Sequence, residues 1–152
     1  MKTIHDLEND YSNLYDILKW FNKRYDQCHK ILHLKGKSLA DANAEQSAYA
    51  AYYSELRANI KIIYEFFEMD VKRVRGELYK NILDHEPKDI PDRGIHAQVD
   101  ANPKYVQAYK RFLDVKEVYE KYIDLPEKFK QRAFSLRNLT DIAVNELRDY
   151  EI

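Results

Sequence analysis

Apolar residues recur at three- and four-residue steps along most of this chain, the spacing that places side chains on one face of a helix. Leu7, Leu14, Ile17, Leu18, Phe21 and Tyr25 form the first such series and predict a helix over residues 4–33, with Trp20 beside the stripe. Thr3 stands where an N-cap belongs, and Asp6 supplies an acidic first turn. Lys35-Gly36-Lys37 interrupts the pattern, and Gly36 suits a left-handed C-cap. Ser38, with Asp41 three positions on, reads as the next N-cap.

The second series is longer. Tyr49, Tyr53, Leu56, Ile60, Ile63, Phe67, Val74 and Leu78 follow spacings of 4, 3, 4, 3, 4, 7 and 4, close to a heptad and interrupted at Asp70. No proline falls between residues 39 and 83, so one helix is expected there, on the order of 65 Å long at ~1.5 Å per residue. Gly76 lies inside it and signals a bend or a close approach. Residues 84–102 hold Pro87, Pro91 and Gly94 among mixed charges and read as a loop. Asn102 caps a third helix with Pro103 at its first position. Val106, Tyr109, Leu113, Tyr119, Tyr122 and Ile123 are expected to form its apolar face. Pro126 breaks that helix near Leu125, and Leu125-Pro126-Glu127 restarts a fourth segment carrying Phe129, Phe134, Leu136, Leu139, Ile142 and Leu147.

The expectation is therefore an all-α fold of long antiparallel helices. It forms a single domain over 1–152, divided into an N-terminal helix (1–36), a long helix (38–83), a loop (84–102) and a C-terminal helical region (103–152). Only three Gly and four Pro agree with helix over a turn-rich sheet. Thin helical folds bury little per residue, so a homo-oligomer is expected to complete the apolar contacts. Lys and Arg number 25 against 26 Asp and Glu, which lacks the global excess typical of a DNA-binding protein. The charge is segregated locally. Residues 19–37 carry six Lys or Arg against one Asp, and residues 138–152 one Arg against four carboxylates. Cys28 is the only cysteine, so no internal disulfide forms, as in a reducing compartment. No run approaches the ~18 apolar residues of a membrane span, and the polar, acidic residues 1–10 do not resemble a secretory leader. These features point to the cytoplasm and away from a membrane.

Catalytic motifs are missing: there is no Gly-rich phosphate loop, no Cys-x-x-Cys and no His-Glu-x-x-His. No catalytic residue, cofactor or metal is therefore assigned, and no enzyme activity is expected. His29 and His33 lie four apart beside Cys28 and would bind zinc with a third ligand, yet two exposed histidines on a basic helix is the simpler reading. Glu65, Glu68 and Asp70 lack the Glu-x-x-His pairing of di-iron bundles. The basic clusters carry more chemistry. Lys72, Arg73, Arg75 and Lys80 surround Tyr79, and Lys23 and Arg24 lie in the basic N-terminal stretch. Cations neutralise phosphates and aromatic rings stack on unpaired bases, which together suit sequence-tolerant binding of single strands. The solvated face of an ordinary bundle helix also accounts for them.

One further pattern reaches beyond composition. Arg132-Ala133-Phe134-Ser135-Leu136-Arg137, followed by Leu139 and Asp141, resembles a motif of UvsY-type phage recombination mediators. Arg73-Val74-Arg75 before Leu78-Tyr79 resembles the basic triplet that family uses on single-stranded DNA. The likeness spans about residues 70–145. It departs where family members carry Gly and this chain has Ala133, and again at Asn81-Ile82. The resemblance implies an all-helical, ring-forming protein of the bacterial host cytoplasm without catalytic activity. Its partners would be single-stranded DNA, a single-strand-binding protein and a RecA-like recombinase, which it helps to replace that protein on the strand. It assigns strand contact to Arg73 and Arg75, joined by Lys72, Lys80 and Tyr79. Phe134, Leu136 and Leu139 are expected to build the oligomer, with Arg132 and Arg137 facing solvent or lining the ring. The alternative is a helical adaptor or inhibitor that acts through protein contacts without nucleic acid.

Overall fold

The computed structural model describes residue 7, residues 11–85 and residues 90–149, and every regular element among them is helical. A 3-10 turn at Tyr11–Asn13 leads into α1 (Leu14–Leu32). Then come α2 (Leu39–His85), α3 (Asp92–Ala101), α4 (Pro103–Ile123) and α5 (Leu125–Asp149). The all-α class is as expected. Leu7 is helical and α1 ends at Leu32, while Thr3, His5 and Asp6 lie outside the described residues.

Local chemistry explains most boundaries. Ser38 opens α2 by accepting the Asp41 N–H on its hydroxyl at 3.5 Å and the Ala42 N–H on its carbonyl at 2.9 Å. Asn102 opens α4 with its side-chain oxygen 2.9 Å from the Lys104 N–H, and Pro103 occupies the first helical position. The break between α4 and α5 is the single residue Asp124, whose carbonyl accepts the Lys128 N–H at 3.1 Å. Pro126 sits in the first turn of α5, where its missing N–H costs no intrahelical bond. Gly36 has φ +78°, but it closes the Leu34–Lys37 turn while extended His33 ends α1. A Cβ at Gly76 would meet nothing within 4 Å among the described residues, so no close approach among them explains it.

The segment read as a loop over 84–102 contains a ten-residue helix. Ile95 and Val99, one turn apart, are both buried and hold α3 in place. The apolar face expected for α4 is also corrected. Val106, Tyr109, Leu113 and Ile123 are exposed, whereas Tyr122 is buried as expected, together with Ala108, Val115 and Val118. Small Ala108 lets a neighbouring helix approach closely, and bulkier residues are left at the rim.

The chain divides into two compact units, Met1–Asn59 with Glu120–Ile152, and Ile60–Tyr119. In the first unit, α1 and the N-terminal part of α2 run antiparallel, because Tyr53 donates to the Arg24 carbonyl while Ala42 shares Arg132 with Ile31. Its core is aromatic. Phe21 meets Tyr122 edge-on at 5.7 Å, and Tyr53 stacks on Phe129 at 5.3 Å. Two tyrosines bury their rings and satisfy their hydroxyls on carbonyls of α1, Tyr53 on Arg24 at 3.1 Å and Tyr122 on Phe21 at 2.7 Å. Tyr122→Phe is expected to cost about 1 kcal/mol, the net worth of one such bond, measured as a shift in urea midpoint.

Burial also sets a pH response. It pushes the Cys28 thiol from 9.0 up to about 11, opposed by Lys128, and pushes Tyr53 from 10.0 up to about 12. Below pH 9 these groups are protonated in folded and unfolded chains alike. Above that the unfolded chain releases protons that the folded one keeps, so stability falls as pH rises, Cys28 acting first. Unfolding free energy is expected to drop by roughly 2 kcal/mol from this thiol between pH 9 and 11, at ~1.4 kcal/mol per unit. In Cys28→Ala the onset should move up toward pH 10.

The second unit buries Ile60, Ile63 and Phe67 of α2, Ile95 and Val99 of α3, and Ala108, Val115 and Val118 of α4. Tyr64 stacks on Tyr119 at 4.8 Å, and Arg75 reaches Asp100 at 3.4 Å. These contacts set α2 antiparallel to both α3 and α4 within this unit.

Candidate nucleic-acid interface

The residues singled out on α2 do not share one surface. Positions two apart on a helix are separated by about 200°, so Arg73 and Arg75 leave on opposite sides. Arg73 faces α4 and is held by carboxylates, Asp70 at 2.7 Å and Glu77 at 2.9 Å. The hydrogen bond from Asp70 first, and that from Glu77 next, hold its guanidinium above the ordinary arginine range. Arg75 turns the other way, 3.4 Å from Asp100 and with its guanidinium 5.9 Å above the Tyr105 ring. Tyr79 donates to Asp92 at 2.5 Å, which raises its pKa, and its ring lies 5.2 Å from His96. One face of that ring is thus already engaged. Lys72 is exposed and pairs with Glu68 at 3.5 Å, and Lys80 is exposed.

What the fold assembles is a groove of about 510 Å³ between α2 and α4, inside the second unit. Arg73, Glu77 and Asn81 line it from α2, and Lys104, Gln107 and Arg111 from α4. Spacings of four on α2 and of three and four on α4 put each set on one face. Val74 and Leu78 form its apolar floor. Beneath it lies Asp70, buried at 6% exposure, which takes the core slot one turn after Phe67. Its carboxylate is 2.7 Å from Arg73 and 3.7 Å from Arg111, and so fixes both guanidinium groups at the groove. Three cations and two side-chain amides around one concavity supply donors of the kind a phosphodiester needs, with Asp70 and Glu77 as opposing charges. Lys104, Gln107 and Arg111 do not stand out in the sequence. Their common face is legible there, but nothing local joins them to Arg73.

The N-terminal basic stretch has a different character. Lys23 is exposed, whereas Arg24 is half-buried, donates to Gln27 at 3.1 Å and lies 5.1 Å above the Trp20 ring. His29 and His33 are exposed, and the His29 ring meets Tyr25 edge-on at 4.9 Å. Among the described residues no three His, Cys, Asp or Glu lie together as a metal site.

The three residues expected to build an oligomer also separate. Leu136 is core at 1% exposure, Phe134 is 66% exposed on the far side of α5, and Leu139 is half-exposed beside a groove lined by Leu34, Leu39 and Ile142. Leu136 is therefore unavailable to another subunit. Arg132, expected at solvent or in a ring, is buried at 4%. Its Nε donates to the Ile31 carbonyl at 3.1 Å, and one terminal nitrogen donates to the Ala42 carbonyl at 3.3 Å and to Gln46 Oε1. Gln46 in turn donates to the Phe129 carbonyl at 2.8 Å. The motif arginine is thus a structural tie at the negative end of α1, where Lys37 also donates to the Ile31 carbonyl at 3.1 Å.

Among the described residues no helix is long and apolar enough to cross a membrane. Comparison with protein-family models, curated proteins and solved structures returns no match.

Proposed function

We propose that the chain is a non-enzymatic helical protein that binds single-stranded DNA through the α2–α4 groove, in the manner of a recombination mediator. The convergence of Arg73, Lys104 and Arg111 on one groove, with Asn81 and Gln107 beside them, carries this reading. Each subunit would hold a short stretch of backbone weakly. A homo-oligomer, taken as a ring from the resemblance, would gain affinity from many linked weak sites. Holding the strand in this way would loosen a competing single-strand-binding protein while a RecA-like recombinase docks elsewhere. The mediator role rests on the resemblance in residues 70–145 and the groove on geometry.

A second reading has its own observation. Arg73 and Arg75 are both engaged by the chain's own carboxylates, as expected of an adaptor or inhibitor working through protein contacts. Fluorescence anisotropy with labelled oligo-dT separates the two. The mediator reading expects salt-sensitive binding that falls about tenfold, ~1.4 kcal/mol, in Lys104→Glu, with a smaller change in Lys72→Glu. No binding at low salt would leave the adaptor reading.

A further inference from the structure

The groove between α2 and α4 brings two carboxylates to its cations, and they differ in freedom. Asp70 is buried beneath the floor, on a short side chain that Arg73 and Arg111 approach at 2.7 and 3.7 Å. Glu77 lines the groove itself, with a longer side chain that is 65% exposed. It stands one turn after Arg73 and accepts from the Nη1 of that guanidinium at 2.9 Å, while Asp70 accepts from Nη2. An arginine fork offers a phosphodiester two donors at the spacing of two oxygens. One of these donors is already given to an anion that belongs to the chain. An exposed ion pair contributes little to stability, so this one opens readily.

We propose that Glu77 is a built-in competitor for the groove: its carboxylate occupies Arg73 in place of a phosphodiester and swings out when a strand binds. The inference rests on the α2–α4 groove as the strand-binding site. Arg73 keeps Asp70 through the exchange, so its guanidinium stays aimed at the groove. Left in place, the Glu77 carboxylate would stand beside an incoming phosphate, like charge against like charge. Lys80, exposed and three positions on along α2, is the cation that receives it. Each binding event therefore exchanges an internal ion pair for an external one. The competitor lowers the affinity of a single groove without lowering the number of cations it presents. It also lets the strand leave by the reverse exchange, with the chain's own anion refilling the place. That suits a protein that holds a strand and then yields it.

The test compares the full wild-type chain with Glu77→Gln, Arg73→Ala and the double variant, by fluorescence anisotropy of labelled oligo-dT at one low salt concentration. Glu77→Gln keeps the size of the side chain and removes its charge. It is expected to bind about fivefold more tightly, with helix content unchanged by circular dichroism. In the Arg73→Ala background the same change should gain less than about twofold, because the guanidinium it releases is gone. Glu68→Gln controls for net charge. It removes a carboxylate that pairs with Lys72 at 3.5 Å outside the groove lining, and should change affinity by less than about twofold. Wild-type binding that Glu77→Gln leaves unchanged or weakens overturns the competitor and leaves the groove reading standing. A gain that persists in full without Arg73, or that Glu68→Gln reproduces, also overturns it. Binding by neither the wild type nor Glu77→Gln overturns the strand-binding reading and the competitor with it.

Discussion

Arg132→Ala is expected to cost roughly 3–5 kcal/mol of stability, the range for a large buried side chain whose polar network is broken. The substitution empties a site buried at 4% exposure and strips donors from the Ile31 and Ala42 carbonyls and from Gln46. Those acceptors belong to α1 and α2, so loss of the arginine unties both helices from α5. Arg132→Met fills the space but takes the donor from Gln46 Oε1, while the Ile31 carbonyl keeps Lys37, and should cost less, about 1–3 kcal/mol. Adding Gln46→Leu removes that stranded acceptor but also the Gln46 bond to the Phe129 carbonyl, so the double variant is expected within about 1 kcal/mol of Arg132→Met. Urea unfolding followed by circular dichroism measures all three. An Arg132→Ala protein within 0.5 kcal/mol of wild type, inside the ~±0.5 kcal/mol common for surface changes, would show that the arginine is not a structural tie.

Asp70→Ala is the second large effect, expected at about 2–4 kcal/mol. Asp70 is buried, and it is the carboxylate that Arg73 and Arg111 share. Removing it leaves the mostly buried Arg111 guanidinium without that countercharge, while Arg73 retains Glu77. Replacing the pair together, as Asp70→Leu with Arg111→Met, is expected to return stability to within about 1 kcal/mol of wild type. A buried ion pair offers little net stability over a well-packed apolar pair. The double variant should nonetheless bind oligo-dT more weakly, because it removes one groove cation and frees another from its anchor. If the double variant is as unstable as Asp70→Ala, the coupling between the two residues is wrong.

These two residues also show which features the sequence revealed. Helix starts at Ser38 and Asn102 and the break at Pro126 were legible because cap and proline chemistry act within one turn. The helix Asp92–Ala101 was hidden by Pro91 and Gly94, although Ile95 and Val99 are spaced one turn apart. On α4 two stripes compete, one of Val106, Tyr109 and Leu113, the other of Ala108, Val115, Val118 and Tyr122. Hydrophobicity favours neither, and only packing selects the second. The separation of Arg73 from Arg75 was present in the helical period itself. Arg132 likewise falls in phase with buried Phe129 and Leu136, three and four positions away. That phase marked it as inward-facing, against its charge. The union of Arg73 with Lys104 and Arg111 depends on how α2 and α4 align, which no local signal encodes.

The salt dependence of oligo-dT binding tests the central claim most directly. Removing one cation that neutralises a phosphate should make the slope of log affinity against log salt shallower by about 0.7 on a single strand. Wild type is predicted to bind with a clear negative slope, and Lys104→Ala, whose side chain is exposed and outside the core, to bind with a slope shallower by about that amount. Absence of binding at low salt, or a slope unchanged in Lys104→Ala, would contradict the assignment of the α2–α4 groove as the strand-binding site.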